Sequence, residues 1–282
     1  MIWHLFFQPF IEFGFMRRAL VACMALAISA TPLGVFLSLR RMSLVGDALS
    51  HAVLPGAAIG YLVSGLSLVA MGIGGLIAGL AVALLSGAVS RYTHLKEDAS
   101  FSGFYLGSLA LGVTLVSLRG SSVDLLHVLF GSLLAVDNGA IVLVGSIAAF
   151  TLLMLAVIFR PLVIDAFDPD FLRAQGKWSA PLVHGIFLTL VVLNLVAGFQ
   201  VLGTLMSVGL MMLPATSARF WSRHLTRMLA IAMLLALIAA FIGLLLSWHY
   251  ALPAGPAVVL SAAVLFLLSV LTGPCGGLLR RR

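Results

Sequence analysis

The chain has 282 residues, 62% of them hydrophobic and only 9% charged, with sixteen Arg and Lys against nine Asp and Glu. A soluble domain carries about 25% charged residues, so this composition cannot cover a water-exposed surface. The net charge of +7 does not point to nucleic acid, because the Arg and Lys stand at the ends of apolar runs, where they set membrane topology rather than form a binding stripe.

The apolar runs are of the length that crosses a bilayer as a helix, and the weak alternation of a membrane β-barrel is absent. The expected fold is therefore all-α, a polytopic helical membrane protein in one domain over residues 1–282. Residues 1–15, MIWHLFFQPFIEFGF, are aromatic and suit the membrane interface. They lack the basic start of a signal peptide. A first span runs from Ala19 to Leu39, kinked at Pro32. Cys23 and Cys275 belong to no CxxC, so neither a disulfide nor a metal is assigned to them.

Residues 40–60, RRMSLVGDALSHAVLPGAAIG, open the second span, and they place Asp47 and His51 in an otherwise apolar run. A spacing of four puts both side chains on one helix face, beside Ser50. A carboxylate and a neutral imidazole can share a divalent cation there. Pro55 cannot donate to the His51 carbonyl, which is left open. A plainer reading also stands. Ser43 would cap the helix, Asp47 would favour its dipole, and His51 would bond a neighbouring helix.

The second span ends near Leu66. Gly56 and Gly60, Gly75 and Gly79 in the third span, and Gly103 and Gly107 in the fourth each stand four apart, as small residues do where helices approach closely. The piece from Arg119 to Asn138 is short and charged, and reads as an interfacial or re-entrant helix. Its Asp124 and His127, three apart, either receive metal on the outer side or anchor the helix at the headgroups. A span from Ala140 to Phe159 precedes the longest polar insert, Arg160 to Ser179. Within it, residues 165–176 read as a short amphipathic cytoplasmic helix, the candidate coupling helix, or else as an ordinary solvated connector. Asp168 is the cap, Pro169 the first helical residue, and Phe171 and Leu172 lie opposite Asp170 and Arg173.

A further span covers Pro181 to Phe199, with His184 one turn inside it as a second-sphere or path-mouth ligand, or else a plain helix-contact histidine. Gln200 opens a glycine-broken stretch to residue 217 whose backbone could line a path. There Met206, Met211 and Met212 read as packing, and Pro214 frees the Leu210 carbonyl. Two more spans complete the chain, giving about eight to nine crossings. Thirteen Arg and Lys fall on one side and three on the other, which places the N-terminus outside and the C-terminus in the cytoplasm.

The stretches GDALSHAVLPGAAIGYL, DLLHVLFGSLLAV and FQVLGTLMSVGLMMLPATSARFW lie in the first, middle and last thirds of the chain. Together they resemble the membrane permeases of ABC importers for zinc, manganese or iron, and the last leans towards zinc. The resemblance implies a permease of the bacterial plasma (inner) membrane, working as a homodimer. It also implies separate ATP-binding cassette subunits on the loop at Asp168, Phe171, Leu172 and Arg173, and a metal-binding protein outside. Asp47 and His51 would line the route of the cation, with no cofactor bound permanently. Only Lys96 and Lys177 are lysines, and neither closes a G-x-x-x-x-G-K-[ST] loop, so ATP hydrolysis falls to another chain. The alternative is a proton-coupled secondary metal transporter without an ATPase, but Asp47 is the only acidic residue deep in an expected span. An intramembrane enzyme would need H-E-x-x-H or a second buried Asp, and the sequence offers neither.

Overall fold

The computed structural model of the chain describes residues 8–65, 67–94, 97–117, 136–168, 171 and 180–280. They form α1 (Gln8–Glu12), α2 (Gly14–Leu39), α3 (Ser43–Ala52), α4 (Leu54–Ser64), α5 (Leu68–Tyr92) and α6 (Glu97–Ser117). After these come α7 (Asn138–Phe167), α8 (Ala180–Leu202), α9 (Thr204–Ala218), α10 (Leu225–Tyr250), α11 (Ala254–Thr272) and a 3-10 turn at Leu278–Arg280. Helix is what a chain with so little polar surface must form, since in hydrocarbon every backbone N–H and C=O has to be satisfied within the segment.

Among the described residues, six helices are long and apolar enough to cross a membrane: α2, α5, α7, α8, α10 and α11. The expectation of eight to nine crossings would also need α6, the α3–α4 pair and α9. Those are the places where the chain departs from a straight span. Pro55 breaks the expected second helix at Val53, giving α3 and α4. Gly203, at φ +87°, breaks the stretch after Gln200, a conformation that costs glycine little and other residues much. The resulting α9 has 15 residues, about 22 Å of helix against a hydrocarbon core of about 30 Å. One expected boundary moves: α7 runs through Arg160 and Pro161 to Phe167, so the first eight residues of the polar insert are helix. Asp137, expected in the interfacial piece, is the N-cap of α7 and accepts from the Ala140 amide at 2.7 Å.

The bundle is built around α2 and α8, whose apolar windows are 72% and 67% buried, against 28% for α5 and α7. Polar clamps fix their register. The Ser29 hydroxyl donates to Asn194 Oδ1 at 2.7 Å, and Asn194 Nδ2 donates to Thr151 Oγ1 at 2.8 Å and to the Leu190 carbonyl at 2.9 Å. All three side chains are buried, so α2, α7 and α8 share one satisfied network. Thr31 donates to the Leu210 carbonyl, the group that Pro214 leaves without an amide partner.

Glycines make the tightest crossing. A Cβ on Gly56 would lie 2.0 Å from the Gly74 carbonyl oxygen, and one on Gly60 would lie 2.4 Å from the Ala70 carbonyl oxygen. The expected close approach of α4 is thus made to α5. Gly75 and Gly79 receive Val53 and Val192, whereas nothing stands within 4 Å of a Cβ on Gly103 or Gly107. At the opposite end of α2, Phe13 and Phe15 gather around Trp248 with ring centroids 4.5 and 6.0 Å away, an arrangement suited to a membrane–water boundary.

Candidate functional site

Helix α3 begins at Ser43 directly after a turn in which Arg41 adopts φ +60°. The Met42 amide donates to the Leu37 carbonyl at 2.9 Å and the Arg41 amide to Ser38 at 3.2 Å. This is a left-handed helix stop with arginine where glycine is usual. The N-cap of α3 is Met42, with no side-chain cap, and Asp47 lies beyond the first turn. The capping arrangement with Ser43 is therefore not formed.

Asp47 and His51 share a face as their spacing requires. His51 Nε2 is 3.8 Å from Asp47 Oδ1, and the side chains are 26% and 57% exposed respectively. At that separation they are neighbours rather than a tight pair. The His51 ring leans on Tyr105 of α6, with centroids 5.4 Å apart. Its buried Nδ1 finds no hydrogen-bond partner among the described residues. Ser50 is buried and turns its hydroxyl back to the Asp47 carbonyl at 2.7 Å, so it does not join the open face. The break at Val53 exposes the Ala52 carbonyl, which accepts from Ser108 of α6 at 3.2 Å. Behind α3, Gly46 leaves room for Met211 and Met212 of α9. Both methionines are buried, as is Met206. This is a carboxylate and an imidazole on a supported helix face, able to offer one oxygen and one nitrogen to a cation. Among the described residues no three His, Cys, Asp or Glu gather to enclose one.

The other site candidates fall elsewhere. Gln200 lies over Gly72 and lines a cavity of about 160 Å³ between α5, α7 and α8. His184 stands at the start of α8, where its Nδ1 is 2.9 Å from Arg40 Nη1. Arginine can only donate, so Nδ1 is the acceptor and the ring proton sits on Nε2. Arg40 also pairs with Asp165 of α7 and lies over the Phe187 ring, 4.8 Å from its centroid. The Arg40 and Asp165 side chains are only 7% and 9% exposed. By sequence Arg40 is a topology signal and Asp165 opens the expected coupling helix, whereas Asp165 belongs to α7. Neither residue type nor spacing could show that three helices bring them together. At the end of α7, Asp168 Oδ1 accepts from the Phe171 amide at 3.0 Å, the geometry of an N-cap, and Phe171 is exposed. Leu172, Arg173, Asp124 and His127 lie outside the described residues.

The comparisons bear on these features together. The family model described as the ABC 3 transport family matches residues 12–273. The manganese transport system membrane protein MntC of Halalkalibacterium halodurans is 34% identical over 98% of this chain and 93% of its own. The manganese import system permease protein ScaB of Streptococcus parasanguinis is 32% identical over 93% and 92%. The chelated iron transport system membrane protein YfeD of Yersinia pestis is 31% identical over 96% and 89%. The solved structure of PsaBC from Streptococcus pneumoniae in complex with Fab superposes with a TM-score of 0.85 at 32% identity, over 98% of this chain and 97% of that one. The chain belongs to the ABC 3 transport family, and is a membrane permease of the metal-importing ABC type rather than an enzyme.

Proposed function

We propose that this permease passes a divalent transition metal, manganese before iron or zinc, along a route on which Asp47 and His51 are transient ligands. The carrying observation is the open Asp47–His51 face within the apolar bundle. A carboxylate exposed to hydrocarbon costs about 2.5–3.5 kcal/mol on insertion scales, so this face is expected to meet water or another protein surface. Relatives named for manganese and iron support the order of metals. The lean towards zinc finds no such support among them. One oxygen and one nitrogen suit all three ions, and selection among them depends on geometry and availability.

Two ligands are too few to strip a hydrated cation. A second permease copy facing this one would bring another Asp47 and His51, doubling the set. Loose binding suits transport, because a site that holds too tightly blocks release. The exposed Phe171 behind its Asp168 cap is the described part of the ATPase-docking element. The basic ends of the helices set that face in the cytoplasm of a bacterial inner membrane. The N-terminus is then outside, where a metal-binding protein would deliver the ion.

Proteoliposomes holding the permease, its ATPase and its binding protein test the reading by uptake of Mn²⁺, Fe²⁺ and Zn²⁺ in parallel. ATP-dependent Mn²⁺ uptake that Asp47→Asn removes is the expected result. Uptake driven by a proton gradient without ATPase would replace it with the secondary-transporter reading. Cysteines placed at Lys177 and Arg280 should resist an impermeant thiol reagent on intact cells; labelling at both inverts the topology.

A further inference from the structure

The turn between α2 and α3 is short, and it is held from two sides. Its first residue, Arg40, reaches Asp165 near the end of α7 and His184 at the start of α8, and stacks on Phe187. One turn back along α2, Phe36 is fully buried and meets Phe159 of α7 and Phe187 of α8 edge-on, with centroids 6.0 and 6.4 Å away. A polar layer and an aromatic layer thus join the same three helices. The left-handed Arg41 and the Met42 amide bond leave little slack between Arg40 and the first turn of α3. Asp165 lies three residues before Asp168, the residue that caps the turn at Phe171. Asp47 lies seven residues after Arg40 on the other side of the turn.

We infer that Arg40 is a positioning residue that carries movement of the ATPase-facing end of α7, through Asp165, to the helix holding Asp47 and His51. Fold stability alone is a poor account of this arrangement. A buried ion pair replaced by apolar groups of similar size often leaves a protein as stable or more so. A guanidinium fork, by contrast, grips a carboxylate and an imidazole at once in fixed geometry, which is what a rigid link between the α2–α3 turn, α7 and α8 needs. His184 holds the third corner, so α8, half of the buried centre of the bundle, moves with the other two.

The inference rests on the docking of the ATPase at Phe171, and the experiment separates the two. In proteoliposomes with the ATPase and the Mn²⁺-loaded binding protein, three quantities are read: ATPase retained on the permease, its basal hydrolysis, and its stimulation together with Mn²⁺ uptake. The double variant Arg40→Met with Asp165→Leu removes both charges and keeps the volume. Its melting temperature and retained ATPase should match the parent, while stimulation and uptake fall about tenfold, within the usual range for coupling between distant sites. Retained ATPase with parental stimulation in that variant overturns the link. Should the double variant fail to accumulate, Arg40→Lys keeps the charge beside Asp165 and gives up the fork to His184. Reduced stimulation there supports the link, and parental stimulation overturns it. Retention that is indifferent to Phe171→Ser counts instead against the docking reading, and leaves the link judged by stimulation alone.

Discussion

Among the described residues, two places in this permease bring an aspartate and a histidine close together, and they are built in opposite ways. On α3, Asp47 and His51 sit four residues apart, 3.8 Å from each other, on a face that is 57% exposed at the carboxylate. At the end of the bundle, Asp165 and His184 come from different helices and Arg40 lies between them, with the Arg40 and Asp165 side chains almost closed off from solvent. The first arrangement has unspent bonding capacity: His51 Nδ1 lacks a partner among the described residues and the carboxylate faces outwards. In the second, the cation is already present as a guanidinium, which fills the place a metal would take. Open capacity suits passage of an ion, and closed capacity suits holding helices in register.

Breaking the open site should have the largest effect on function and the least on stability. Asp47→Asn keeps shape and hydrogen bonding but removes the charge. Uptake in proteoliposomes should fall about 100-fold, equivalent to roughly 2.7 kcal/mol of lost stabilisation along the route, with detergent melting unchanged. Parental uptake by this variant would end the ligand assignment. The closed part of the bundle should respond in the reverse sense. Asn194→Ala strips the shared partner from Ser29 and Thr151, leaving buried hydroxyls short of a bond at a cost of about 1–3 kcal/mol. A lowered melting temperature with a normal metal preference is the expected result; unchanged melting would show that the network relaxes around the gap.

A pair of glycine substitutions sharpens the contrast between packed and open faces. Gly56→Ala places a methyl group against the Gly74 backbone, and a backbone contact cannot swing aside as a side chain can. The α4–α5 crossing should separate, costing about 1–3 kcal/mol as overpacked cores do. Gly103→Ala meets nothing within 4 Å in the protomer, and alanine favours helix by about 1 kcal/mol. Melting of the two variants should move in opposite directions. Destabilisation by Gly103→Ala would mean that another surface packs on α6.

Much of this was legible in the residues. Composition alone gave an all-helical membrane protein. The four-residue spacing placed Asp47 and His51 on one face, and the aspartate–proline pair at Asp168 announced its cap. Pro55 signalled a freed carbonyl, but not that the helix breaks fully at Val53. Helix α7 outruns its expected end at Phe159 and carries Pro161 inside it, since proline within a packed helix is tolerated in membranes when neighbours satisfy the freed group. The Arg40 node was the least legible part. Its members lie 125 and 144 residues apart in sequence, and no periodicity links them. A signal did exist in Asn194, a lone amide in the run VVLNLVAG, which hydrocarbon would reject without partners.

The smallest expected effect comes from the turn that joins the two regions. Arg41 stands at φ +60°, where a side chain crowds the following carbonyl and costs about 1–2 kcal/mol. Its own side chain is exposed, so nothing packed is lost on removing it. Arg41→Gly relieves the crowding but loosens the unfolded chain, which offsets part of the gain. Stability should therefore rise by no more than about 1 kcal/mol. If the turn serves only to reverse the chain, uptake should be unaffected by this change. If it transmits movement from Arg40 to Asp47, the more pliable glycine should lower ATPase stimulation slightly even as melting rises. Rising melting with falling stimulation is the expected pair, and rising melting with parental stimulation would assign the left-handed turn to folding alone.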